Sequence, residues 1–292
     1  MRKTLSWVGV LAIALVGCRT SIAQPPANDP WPGMKKLLVV ADVRLGFHHD
    51  SINHAMGVIE QLGRESGQWV TFIRTDSQLI TKKEILGSGT RYQGRRVNAR
   101  NLDFFDAVFI LSSGDSSSLD DEQKEALLSF VRDDGKGIVL GHAASVAYYD
   151  WPEYFEMIGS FMKSEYRVQP FPLIRESSTF PGATAFPEKF TYEDQFAVME
   201  EHFTSDDAEV ILRLDTSGMT EEQLAQRADG DFPIVWAKYY GNGRVFNQTI
   251  GHREEVWDDP QFRELMTEAI KWALGITEYE LTYPDAEEDA SK

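Results

Sequence analysis

Short apolar runs rich in β-branched residues alternate with longer amphipathic stretches, and that alternation restricts the fold of this chain more than any other feature. The runs KKLLVVA (35–41), WVTFIR (69–74), DAVFIL (106–111) and GIVL (137–140) each have the length of a strand. Segments of helical period separate them: Ser51 to Gly63, with Ser51 a plausible N-cap, and Asp120 to Asp133, closed by Gly135 and Gly137. The polar stretch 78–101 reads as a short helix followed by a long loop. A strand returning to a parallel neighbour needs a crossover of this kind, so the pattern predicts an α/β fold with a mostly parallel central sheet. Further on, 153–161 reads as a helix and 208–214 and 234–239 as strands. Gly241-Asn242-Gly243 reads as a hairpin turn, 244–250 as the strand after it, and 260–274 as a closing helix with Pro260 in its first turn. There is no internal repeat.

Composition narrows the partners. The 292 residues carry a formal charge of −17, and 42% of them are hydrophobic, enough to bury a substantial core in one large domain. Lysine and arginine cluster only along Arg91 to Arg100, so the electrostatic footprint of a nucleic-acid binder is missing. A neutral or cationic small molecule suits the field better than an anionic polymer or anionic lipid.

The first residues read as an export signal: Arg2 and Lys3, then an apolar stretch from Leu5 to Val16 too short to span a bilayer. Two processing points compete. Leu15-Val16-Gly17-Cys18 resembles a lipobox, which would make Cys18 a lipid-modified N-terminus, whereas cleavage after Ala23 would remove it. Either way the mature protein is expected to leave the cytoplasm, for the periplasm or a lipid anchor. Residues 24–33 read as a linker, 34–275 as the domain, and 276–292 as an acidic, flexible tail. Cys18 is the only cysteine, which excludes a disulfide, a thiolate metal cluster and a cysteine nucleophile in the folded body.

The histidines fall in a pattern. His48 and His49 follow the first strand, His142 follows the fourth, and His252 follows the last. In an open parallel sheet the ligand crevice lies outside the carboxyl ends of the strands, so these residues are expected to converge. Carboxylates accompany them: Asp50 next to His49, Asp115, Asp150, and the pair Glu193-Asp194. Imidazole beside carboxylate serves general acid–base catalysis near neutral pH or binds a divalent metal, and both chemistries stay open, with His49, His142 and His252 the candidate ligands. His54 and His202 read as ordinary helix and loop residues. The stretch GIVLGHAASV has the strand-turn-helix form at which hydrolases and amidotransferases set a nucleophile, but offers no cysteine, and Ser145 lies past the apex. Aromatic faces suit sugar rings, and Tyr149, Trp151 and Trp236 are the candidates for substrate contact.

The stretches GFHHDSI, TYEDQF, GHAASVAYYDWPEYFEMIGSFM and PIVWAKYYGNGRVFNQTIGHREEVWDDPQF together resemble the ThuA-like (trehalose utilisation) family, over roughly Met34 to Gly275. The resemblance implies a flavodoxin-like, class I glutamine amidotransferase-like three-layer sandwich. It places the family's first-loop histidine and aspartate on His49 and Asp50, its histidine-alanine motif on His142 and Ala143, and its final glycine-histidine on Gly251 and His252. An acidic-aromatic segment of the family matches Glu193 to Phe196 with the acid order inverted, which leaves open which carboxylate serves. The resemblance also implies a role in disaccharide or keto-sugar use. Two expectations follow: a sugar-processing enzyme using His49, Asp50, His142, Asp194 and His252 with Glu193 at the substrate, or a non-catalytic sugar-binding or scaffold lipoprotein.

Overall fold

The run KKLLVVA becomes β1 (Lys35–Val40), and its alternation sets the two faces of the sheet. Leu37 and Val39 are fully buried on one side, Leu38 and Val40 on the other. The computed structural model describes residues 29–44, 46–91, 93–97, 99–200 and 208–283. The residues read as an export signal, Cys18, His202 and residues 284–292 lie outside the described residues. The unit from Gly33 onward carries everything below.

Around β1 stand β2 (Trp69–Arg74), β3 (Ala107–Ile110) and β4 (Gly137–Gly141), all parallel. β3 and β4 are buried on both faces, as strands covered by helices on each side must be. One face is covered by α1 (Ser51–Ser66), through Ile52, Ala55, Ile59 and Leu62, together with α6 (Pro260–Ala273), through Phe262, Leu265, Met266 and Ile270. The other is covered by α2 (Asp121–Arg132) and the short α3 (Pro152–Ile158), through Leu127, Phe130, Val131, Tyr154 and Met157. The result is the three-layer sandwich. Asp120 and Gln123 form a reciprocal capping box at the start of α2. α1 differs from expectation at its start: Asp50 occupies the cap position without a side-chain bond, and Ser51, already helical, donates its hydroxyl to Gly251 O instead.

The sheet has nine strands in the order β2-β1-β3-β4-β11-β10-β9-β6-β7. β11 (Gly243–Gln248) is parallel to β4, and from there the pairing turns antiparallel through β10 (Pro233–Tyr240), β9 (Glu209–Leu214), β6 (Gln169–Arg175) and β7 (Lys189–Asp194). Only β10 and β6 run against the others. A separate two-stranded ribbon pairs β5 (Met162–Glu165) with β8 (Ala197–Met199). The remaining helices are short: α4 (Glu221–Leu224), and α5 (Glu254–Asp258), which leads into α6.

Three segments differ from the sequence reading. Described residues of 78–101 contain no helix, only isolated bridges such as Leu86 to Arg96. The helix expected over 153–161 stops at Ile158, where Gly159 takes a positive φ and β5 follows. Residues 276–283, read as the start of a flexible tail, lie against the body. Trp272 Nε1 donates to Tyr279 O, and the buried Glu209 accepts from Tyr279 Oη and Thr282 N.

Candidate active site

Register brings the parallel strands to a common edge. Val40 pairs with Ile110, Ile110 with Leu140, and Gly141 with Gln248, so the loops after β1, β3, β4 and β11 leave side by side. They are tied together. Gly46 in the first loop has a φ of +51°, and a Cβ there would lie 2.8 Å from the backbone of Ser113 and Gly114, so only glycine allows this approach to the loop after β3. Ser113 Oγ donates to Phe47 O at 2.7 Å, and Gly114 N donates to Val146 O.

His142 sits at the apex between β4 and a 3₁₀ turn, His142–Val146, with a φ of +41°, a strained conformation for a residue with a side chain. It is the elbow position of the fold, and histidine fills it. Its Nδ1 lies 2.9 Å from Thr249 O. A carbonyl only accepts, so Nδ1 carries the proton and, in the neutral ring, Nε2 presents a bare lone pair. That Nε2 is 3.2 Å from His252 Nδ1. Ser145 is fully buried with its hydroxyl directed to His142 O, so it is no nucleophile for this cleft.

His49 completes the cluster. Its ring packs edge-on against His142 and His252, at centroid distances of 4.6 and 5.0 Å. Burial and the neighbouring His252 push the pKa of His49 down to about 4, and burial and His49 push that of His142 down to about 3. Both rings are neutral at physiological pH.

Asp194 is fully buried, and its carboxylate accepts the backbone N–H groups of Gly251, His252 and Arg253 at 2.5, 3.3 and 3.2 Å. Burial raises its pKa and those N–H groups oppose the rise. An orienting role fits this geometry, because three of its backbone partners belong to the loop that carries His252, and the fourth is the neighbouring Gln195. Gly251 in that loop has a φ of +111°, and a Cβ would meet Trp257 Nε1 at 2.8 Å.

Above the three imidazoles opens a cavity of ≈ 530 Å³, bordered by Phe47, Ser113, Tyr149, Met162, Glu165 and Gln195 among others. This is the size of small-molecule sites. Tyr149 stands exposed at its rim. Trp151 and Trp236, expected at the substrate, are core residues. Trp151 stacks on Tyr154 beneath α2, and Trp236 is fully buried with Nε1 donating to Ile158 O. Asp50 and His48 line an adjoining groove on the outer side, and Glu193 pairs with Arg253 there at 2.9 Å. Asp115 and Asp150 accept from backbone N–H groups of Ser117 and Ser116 and border neither.

Sequence reasoning missed Phe47, Gln195 and Glu165. Phe47 is 70% exposed and packs edge-on against His49, and its signal was an aromatic between glycine and two histidines. Gln195 has a buried Oε1 without a partner among the described residues. Glu165 is the one carboxylate among the residues described around the main cavity, and no local pattern marked it.

The family profile described as trehalose utilisation, ThuA, matches residues 36–273. The chain belongs to the ThuA family. Two solved ThuA-like proteins share its fold. One is from Bacteroides uniformis, 18% identical with a TM-score of 0.63, covering 86% of this chain and 95% of its own. The other is from Parabacteroides merdae, also 18% identical with a TM-score of 0.63, covering 85% and 92%. A search of curated proteins returns no match. In this member of the ThuA family His49, His142 and His252 meet at one point, whereas Asp50 and Glu193 stand outside the main cavity.

Proposed function

We propose that this ThuA-family protein is an exported enzyme of disaccharide or keto-sugar use, with its reaction centred on the imidazoles of His49, His142 and His252. The convergence of these rings beneath a cavity of saccharide size carries the reading. His142 offers a lone pair of fixed direction, suited to a hydroxyl proton or an electrophile. Glu165 and Gln195 supply acceptors for sugar hydroxyls, and the exposed ring of Tyr149 a face for an apolar sugar surface. Export, by either processing route at Cys18 or Ala23, would put the reaction in the periplasm or at a membrane surface.

Screening disaccharides and keto-sugars for product tests this. His142→Ala is expected to lower turnover at least about 100-fold, and Glu165→Gln or Tyr149→Ala to raise KM. Unchanged turnover in His142→Ala removes the assignment. The elbow's lack of a nucleophilic cysteine or serine favours one rival, a sugar-binding protein without catalysis. It predicts saturable binding by calorimetry with no product in the same mixture.

A further inference from the structure

We propose that His49, His142 and His252 form a binding site for one divalent transition-metal ion of the zinc class. The proposal deepens the reading above and rests on it only for the substrate.

Three observations carry it. First, one ligand nitrogen from each histidine lies within 4.8 Å of the others, and the pair His142 Nε2 and His252 Nδ1 is 3.2 Å apart. Two imidazole nitrogens on a tetrahedral zinc, each about 2.05 Å from the ion, stand about 3.3 Å from one another. That pair therefore already has the spacing of two ligands. The nitrogen of the third ring, His49, lies within 4.8 Å of both.

Second, His142 has the outer partner that metal-bound histidines have. Its Nδ1–H is held by Thr249 O, which fixes the ring and directs Nε2 to the cluster. The positive φ of His142 aims this ring at a backbone cost that ordinary packing does not require. Third, His49 Nδ1 is buried without a hydrogen-bond partner among the described residues. Buried polar nitrogens are normally satisfied, and an ion at the cluster is an occupant that an imidazole nitrogen can satisfy by coordination.

The donor set selects the ion. Three imidazoles without a thiolate or a carboxylate favour zinc, cobalt or a similar borderline cation over magnesium or calcium, which take oxygen ligands. With three protein ligands on one side, the remaining position faces the cavity beside Tyr149 and Gln195. A water or a sugar carbonyl or hydroxyl oxygen fits that position. Three protein ligands with one open position is the arrangement of catalytic zinc sites.

The test uses untagged full-length protein. Elemental analysis after purification, zinc titration of chelator-treated protein, and visible spectra of the cobalt-loaded form are measured without sugar, so the outcome is independent of the activity screen. The expected result is about one equivalent of ion and the d–d bands of four-coordinate cobalt. Affinity should fall at least about 100-fold in His49→Ala, in His142→Ala and in His252→Ala. His54→Ala should bind as the parent does, because His54 pairs with Asp258 away from the cluster. Where a variant does not fold, the cobalt spectrum of the parent decides alone. A parent that takes up no stoichiometric zinc or cobalt overturns the proposal, and so does an ion retained at parental affinity by folded histidine variants. A bound ion with no sugar turnover would remove the enzymatic reading and leave the metal site standing.

Discussion

The five parallel strands β2, β1, β3, β4 and β11 all release their chain at the same edge, whereas β10, β9, β6 and β7 alternate and divide their loops between two edges. All three histidines come from the first half of the sheet. Among the described residues, the second half reaches the cleft through the end of β7, with Asp194 and then Gln195, and the separate β5–β8 ribbon adds Met162, Glu165 and Ala197. Strand direction therefore separates the loops that bring the histidines together from the segment that holds the His252 loop. A parallel array gathers several loops in one place, and an antiparallel one supplies braces.

The largest break in this comparison is expected at Trp236 in β10. Trp236→Ala removes a fully buried indole and its bond to Ile158 O, at a cost of about 3 to 5 kcal/mol, read as a fall in the urea midpoint. The ring does not line the cavity but packs behind Ala197 and Met162, which do, so ligand affinity of the folded fraction should fall by less than stability does. Asp194→Ala joins the two halves in one variant. It strands three backbone N–H groups, costs about 3 kcal/mol, and should weaken ligand binding as well, since the loop of His252 loses its clamp. Full stability with weakened binding would show that the brace serves the site alone.

Acid probes the parallel half by itself. In metal-free protein the folded pKa values, about 4 for His49 and about 3 for His142, lie below the 6.5 of a free imidazole. Between those values the unfolded chain binds more protons. Stability from this source is therefore intact above pH 6.5 and declines as the pH falls, by on the order of 2 kcal/mol for the part-exposed His49 at about pH 4. His49→Gln should flatten the slope of urea midpoint against pH in that window. The smallest effect belongs to the rim: Glu193→Gln breaks an exposed ion pair with Arg253 and should change stability by about 0.5 kcal/mol or less.

The parallel half was legible because strands buried on both faces read as continuous apolar runs, as in GIVL, and the histidines after them needed only the rule about strand ends. Of the other half, β9 and β10 were legible as well, whereas β6 and β7 were not. β6 contains Pro170 and Pro172, which argue against an interior strand. Yet that part of β6 pairs only with β7, and pairing with β9 is confined to Leu173 to Arg175, so the missing N–H groups cost no ladder bond. Trp151 and Trp236 were misplaced because composition shows that an aromatic is near a motif, not which face it takes. Trp236 alternates with Val235 and Ala237 and so points to the small cluster of Ala197, Met199 and Val210. Asp194 was singled out with Glu193, but its burial and its contact with the loop of His252 are tertiary facts.

β11 is the seam of the sheet, the one strand paired both with the parallel half and with the antiparallel half. It also comes late in the chain. During synthesis, β4 keeps an open edge until residues 243–248 have emerged, so an incomplete chain exposes a strand ready to pair with another copy. His252 follows the seam by a few residues. Any binding that needs the third imidazole thus becomes measurable only once the two halves have been stitched together, which makes ligand capture a readout of that joining.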